Sequence, residues 1–361
     1  MRPIAGASLE REVGVGPAGC RRSTSNRQCA GQLVIMPFAL LIGLGAGLAS
    51  AVLFASASTG TILGLFVLFL LSPLPVAIAG LGWRWTIATV AAAAGASLIA
   101  IAGPPRAAVL YVLALGLPMV VLVYLTLLNR TVRTADGGGT ESGIAWYPLG
   151  RVVTVAALWA GSLGALALLA TASDVEGLRA VLRATFERVF INAVVPAGGE
   201  RSIGESEVAA FTELMVLSYS SAVAVTWMTI TCLNIWLAGI VTRASGRLAR
   251  PWPDLSALTL PRSLPLAFAL TIGSTFLLPP YLGLMVSGFA SAFMFAFMLV
   301  GLAIIHSITR GHGLRPAILG AVYVALVVFN PLSSFILGMV GLAEPFSPLR
   351  RRPPPTSPPT T

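Results

Sequence analysis

Long apolar runs alternate with short arginine-bearing breaks along almost the whole chain. The first run, Pro37–Ala57, contains no charged residue. As a helix it is roughly 31 Å long, about the thickness of a bilayer's hydrocarbon core. Further runs follow at Thr59–Gly82, Thr86–Gly103, Ala107–Leu128, Arg151–Thr171, Phe211–Val241, Ser263–Leu278, Leu284–Ser307 and Ala317–Leu342. The pattern predicts an all-α, polytopic helical bundle in a membrane, with about eight to ten crossings. The count depends on Ala317–Leu342, which Asn330-Pro331 divides and which reads either as one crossing or as a broken hairpin.

Two interruptions fall inside runs. Ser72-Pro73-Leu74-Pro75 breaks the second, and Pro118 sits in the middle of the fourth. A proline removes a backbone donor and leaves a carbonyl one turn back without its partner. Within a bilayer such a carbonyl is tolerated only where protein or a wet cavity satisfies it. Broken helices line binding sites in transporters, so Pro73 and Pro75, with Asn234 in the sixth run, form the candidate ligand or helix-break site. A simple kink, with Asn234 bridging helices, is the plainer reading.

The first run also carries a ladder of small residues at every fourth position: Ala39, Gly43, Gly47, Ala51 and Ala55. Small residues let helix backbones approach closely in lipid, so this is a candidate packing face, within the protein or toward a membrane-protein partner.

Polar segments complete the outline. Residues 1–35 mix arginine and glutamate without apolar period and read as a disordered tail, or as sequence upstream of a true start at Met36. A secretory signal peptide is the weaker reading, because both leader and apolar run are too long. The transmembrane domain is 36–346, and the proline-rich residues 347–361 read as a disordered basic tail. Asn129–Gly150 reads as a polar loop around the flexible Gly137-Gly138-Gly139. In 173–207, Leu178, Val181, Leu182, Phe186, Val189 and Phe190 share one helical face, which predicts an amphipathic helix in the membrane interface. Ser173 with Glu176 and Ser202 with Glu205 are read as capping boxes. This segment is either a lid over a site or a connector between spans.

Composition agrees with the pattern. Charged residues are 10% and hydrophobic ones 56% of the 361, where soluble domains are about a quarter charged. All 23 basic residues are arginine, giving a net charge of +10. They lie in loops and tails, so they argue for membrane topology and not for nucleic acid. By arginine bias the N-terminus and the loops at Arg84, Arg130 and Arg247 are cytoplasmic. Asp174–Glu207 is expected on the far side, since seven of the 13 acids fall between Asp174 and Glu213. No metal, cofactor or catalytic residue is expected: HExxH and GxSxG are absent, and the spans are almost free of ionisable groups. Glu213 and His306 sit at span mouths and read as interfacial.

With the spans placed, the chain resembles the YybS-like family of bacterial multi-spanning membrane proteins in its alphaproteobacterial form. The likeness runs from Met36 to about Arg352 and rests on Pro37–Phe54, SPLPVAIAGLGW at 72–83, GLAIIH at 301–306 and GLAEPFSPLRRR at 341–352. The family is distantly similar to the substrate-binding membrane subunits of energy-coupling-factor importers, which dock a partner through small residues spaced four apart on the first span. The ladder matches that spacing, while the chain departs from the group in its larger number of spans. The resemblance implies a non-enzymatic protein of the bacterial inner membrane that binds a small solute or lipid between helices. The alternative is a membrane scaffold or assembly factor without a ligand.

Overall fold

The computed structural model describes residues 23–56, 67–136, 139–194 and 204–346. It is a helical bundle. The helices are α1 Ser23–Ala55, α2 Leu74–Gly82, α3 Trp85–Ala102, α4 Pro105–Tyr111, α5 Leu117–Leu127, α6 Leu149–Thr171, α7 Val175–Val194, α8 Glu205–Ala244, α9 Leu264–Leu277, α10 Pro280–Ile308, α11 Arg315–Val328 and α12 Leu332–Ala343. A π-helical turn, Val112–Gly116, joins α4 to α5. Six helical segments among the described residues are long and apolar enough to cross a membrane: α1, α3, Pro105–Leu127, α6, α8 and α10. α9, α11 and α12 are apolar but shorter, and the expected second span is described only from residue 67. α1 begins at Ser23, so Met36 lies inside it; residues 1–22 and 347–361 lie outside the described residues.

Glycine sets the helix spacing. A Cβ on Gly47 would stand 2.8 Å from Ala94 Cβ and 3.0 Å from Gly95 N. One on Gly43 would meet Val90 at 3.1 Å and Ile87 at 3.2 Å, so α1 and α3 run parallel in close contact. In the second half α10 is central. Its Gly288 and the Gly164 of α6 both abut Ser220 of α8, where an added Cβ would come within 2.5–2.8 Å of the hydroxyl. Gly301 faces the Leu337 backbone and Gly341 that of Phe297, which makes α10 and α12 antiparallel. Trp227, Met228, Phe268, Phe293 and Phe297 fill the core between these helices.

The arginine-bearing loops gather at one end. Arg247 lies over Trp83 at 4.6 Å, Arg243 over Trp252 at 5.2 Å and Arg250 over Trp146 at 5.8 Å, within cation–π range. Arg250 is buried and donates to the Thr126 carbonyl at 3.0 Å, satisfying an orphan acceptor at the end of α5. Asp254 accepts from Arg310 and from Ser256, and these donors hold its carboxyl down at about 2. Acids dominate at the opposite end. There Leu178 and Leu182 of α7 pack against Leu168 and Val216, and Phe186 stacks on Phe211. Arg179 pairs with Glu176 and with Glu213, and Arg183 with Glu187.

Three local expectations are corrected. Asn129–Gly150 is not a plain loop: β1 Asn129–Asp136 and β2 Gly139–Trp146 form an antiparallel hairpin in which Asp136 pairs with Gly139. Thr and Val favour the strand, and Asp-Gly-Gly permits a two-residue connection. α7 is capped by Asp174, which accepts from the Gly177 N–H at 2.7 Å, and not by Ser173. At α8 the returning carboxylate is Glu207, which accepts from the Gly204 N–H at 3.3 Å, and not Glu205; Ser202 lies outside the described residues.

Two outcomes follow from this packing. Gly47→Leu forces α1 off α3 and lowers the melting temperature in detergent by several degrees. Gly45→Ala, on the open face with nothing within 4 Å, leaves it unchanged or slightly raised. The second outcome concerns acid. Asp254 has a depressed pKa, so its contribution is present above its unfolded value, near 3.9, and is lost as pH falls through about 2. The protection of the 254–257 amides, relative to their intrinsic exchange rate at each pH, should therefore be unchanged from pH 6 to pH 4 and fall only toward pH 2; Asp254→Asn should show the lower protection throughout.

Candidate functional site

The candidate site begins with what the prolines remove. Pro73 cannot donate to the Phe69 carbonyl and Pro75 cannot donate to that of Leu71. Tighter bonds take over: Ser72 N–H donates to Phe69 O at 3.1 Å, and Leu74 N–H to Leu71 O at 3.0 Å. That diverts Leu74 from Leu70 O, which instead accepts from Asn234 Nδ2 at 2.7 Å. The carbonyl of Ser72 accepts from Ser50 Oγ at 2.6 Å, and Ser50 Oγ shares a second hydrogen bond, 2.7 Å long, with the Tyr111 hydroxyl. Pro73 caps α2 and Pro75 lies in its first turn, where a missing N–H costs nothing.

The node thus joins α1, the break at 71–73, α4 and α8. Ser50, Ser72, Tyr111 and Asn234 are all fully buried, with no exposed surface. Two oxygens are left over: Asn234 Oδ1 and Ser72 Oγ are buried without a hydrogen-bond partner. Burying a polar atom unpaired costs about 1–3 kcal/mol, so these two are the chemically open positions. One is an acceptor and the other can donate or accept. The packing ladder belongs to the same region. Ala39, Gly43, Gly47 and Ala51 are buried, whereas Ala55 is exposed. A Cβ on Gly95 would stand 3.0 Å from Gly47 O and 2.6 Å from the Tyr111 hydroxyl, so the paired glycines leave room for Tyr111 to reach Ser50.

The π-helical turn before Pro118 is served alike. Pro118 offers no N–H to Leu113 or Ala114, and the indoles of Trp159 in α6 and Trp227 in α8 donate to those two carbonyls, the first at 3.0 Å. Sequence reasoning named Pro73, Pro75 and Asn234 as the candidate site and Ser72 only as part of the break, and did not name Ser50, Tyr111, Trp159 or Trp227. A polar group inside an apolar run was the available signal for Ser50 and Ser72. Glu213 is half-exposed and ion-paired, and His306 Nε2 meets the Tyr323 hydroxyl at 2.9 Å. Among the described residues no three or more His, Cys, Asp or Glu side chains come together as a metal site.

Fold and node together define a polytopic helical membrane protein with a broken, side-chain-satisfied helix at its centre. No protein-family model, no curated protein and no solved structure matches the chain.

The node makes a specific demand on Asn234. Asn234→Leu takes the side-chain donor from the Leu70 carbonyl at a fully buried position and should cost about 1–3 kcal/mol. Asn234→Gln keeps the amide and should recover part of it. Thermal unfolding in detergent measures both; equal stability of the Leu variant and the native chain would mean that the bond contributes nothing.

Proposed function

We propose that this protein is a non-enzymatic multi-pass protein of the bacterial inner membrane that binds a small polar solute at the broken helix, in the manner of a transporter subunit. The observation that carries the reading is the pair of buried, unpartnered oxygens, Asn234 Oδ1 and Ser72 Oγ, beside a proline break. An N–H or O–H of a solute would satisfy Asn234 Oδ1, and Ser72 Oγ would take either a donor or an acceptor. The resemblance to the YybS-like family supports the same class. A scaffold without ligand is the second reading, favoured by the complete burial of all four node side chains. Burial of Ala39, Gly43, Gly47 and Ala51 beside α3 supports internal packing of the ladder, which leaves a partner of the first span to the exposed Leu41, Leu44, Leu48 and Val52. Clustering of Arg84, Arg130, Arg247 and Arg310 with their loops at one end supports a cytoplasmic N-terminus by the positive-inside rule.

Native mass spectrometry of protein extracted from its own membranes tests the binding. A small adduct retained by the native chain and absent from Asn234→Leu and Ser72→Ala is expected. An adduct-free native chain favours the scaffold. Orientation is tested with an impermeant thiol reagent on single cysteines in a cysteine-free background. Labelling of intact cells is expected at position 199 and not at 138; the reverse overturns the orientation.

A further inference from the structure

α11 is the least embedded of the α-helices whose buried residues are described. None of its 14 residues is buried, although it is almost wholly apolar. It is held to α10 by the His306–Tyr323 hydrogen bond. Between the two helices lies an open groove of about 470 Å³, walled by Ile305, Ile308, Thr309 and His312 on one side and Ile318 and Val322 on the other. Thr309 spends its hydroxyl on the Ile305 carbonyl, so the wall it presents is essentially hydrocarbon. Arg315 is three residues before Ile318 and seven before Val322, so it shares their face of α11, one turn beyond the residues that line the groove. It forms no ion pair among the described residues, while the neighbouring Arg310 is bound to Asp254. The groove is therefore a largely apolar slot with His312 in its wall and an arginine one turn beyond it, at the end of the fold that also carries Arg243, Arg247, Arg250 and Arg310.

We propose that this groove holds an anionic phospholipid, with an acyl chain between Ile308, Ile318 and Val322 and the phosphate at Arg315. Charge complementarity and depth single out this occupant. An arginine one turn beyond a largely apolar slot matches a lipid's own order of charge and hydrocarbon, and the slot adjoins the end of a membrane-spanning helix. A free anion would gain nothing from the aliphatic walls. The site is separate from the node at Asn234 and stands or falls independently of it.

Purified full-length protein in nonionic detergent is exposed to phosphatidylglycerol or phosphatidylcholine of the same chain length, and retained lipid is read by native mass spectrometry. The expected result is one phosphatidylglycerol held about five-fold more tightly than phosphatidylcholine, the effect of one basic residue at an anionic surface. Arg315→Gln should erase that preference. Ile318→Trp, which fills the slot from an exposed position, should release both lipids; Val322→Trp repeats the test if that variant does not fold. Leu266→Trp, on an exposed position of α9, should change neither. Equal retention of the two lipids, a preference that survives Arg315→Gln, or displacement of the lipid by millimolar inorganic phosphate would overturn the proposal.

Discussion

A backbone carbonyl that loses its helical donor inside a bilayer has no water to turn to. That constraint organises the first half of this bundle. Pro73, Pro75 and Pro118 each remove a donor, the backbone tightens or shifts its bonds in response, and side chains from distant helices serve the carbonyls left over: Asn234 at Leu70, Ser50 at Ser72, Trp159 at Leu113 and Trp227 at Ala114. Each of these bonds is also a tie between helices. The breaks therefore specify which helices must stand beside them.

Such ties work only at short range, and glycine provides it. Gly47 against Gly95 brings α1 to α3 and opens the space that the Tyr111 hydroxyl fills. Gly164 and Gly288 close on Ser220 from two sides, and Gly301 and Gly341 join α10 to α12. Where helices in water are driven together by apolar burial, these have lipid as an equally apolar alternative, so close backbone contact and polar bonds carry the association. The ends are joined differently. There, arginines over aromatic rings and ion pairs to α7 operate where water is near, and each contributes modestly.

The long spans were legible because length and absence of charge are local properties. So were the breaks at Pro73 and Pro118 and the candidacy of Asn234, since a polar residue within an apolar run has few reasons to be there. What the side chains bond was not legible, because the Leu70–Asn234 pairing is a product of packing and leaves no mark in either neighbourhood. The hairpin at 129–146 was missed for a different reason. Three glycines suggest slackness, while the alternation of Thr and Val before them is too short to stand out beside helices three times its length. The shift of the α7 cap from Ser173 to Asp174 is the ordinary one-residue ambiguity where two good capping residues adjoin.

The span of 164 residues between Leu70 and Asn234 has a consequence for how the molecule is made. At about 5–20 residues per second, a ribosome needs on the order of ten to thirty seconds to travel from one to the other. Throughout that interval the Leu70 carbonyl lacks the Asn234 donor that it has in the finished fold. Final burial of the break is thus a late event in biogenesis, timed by the synthesis of the helix that carries its partner.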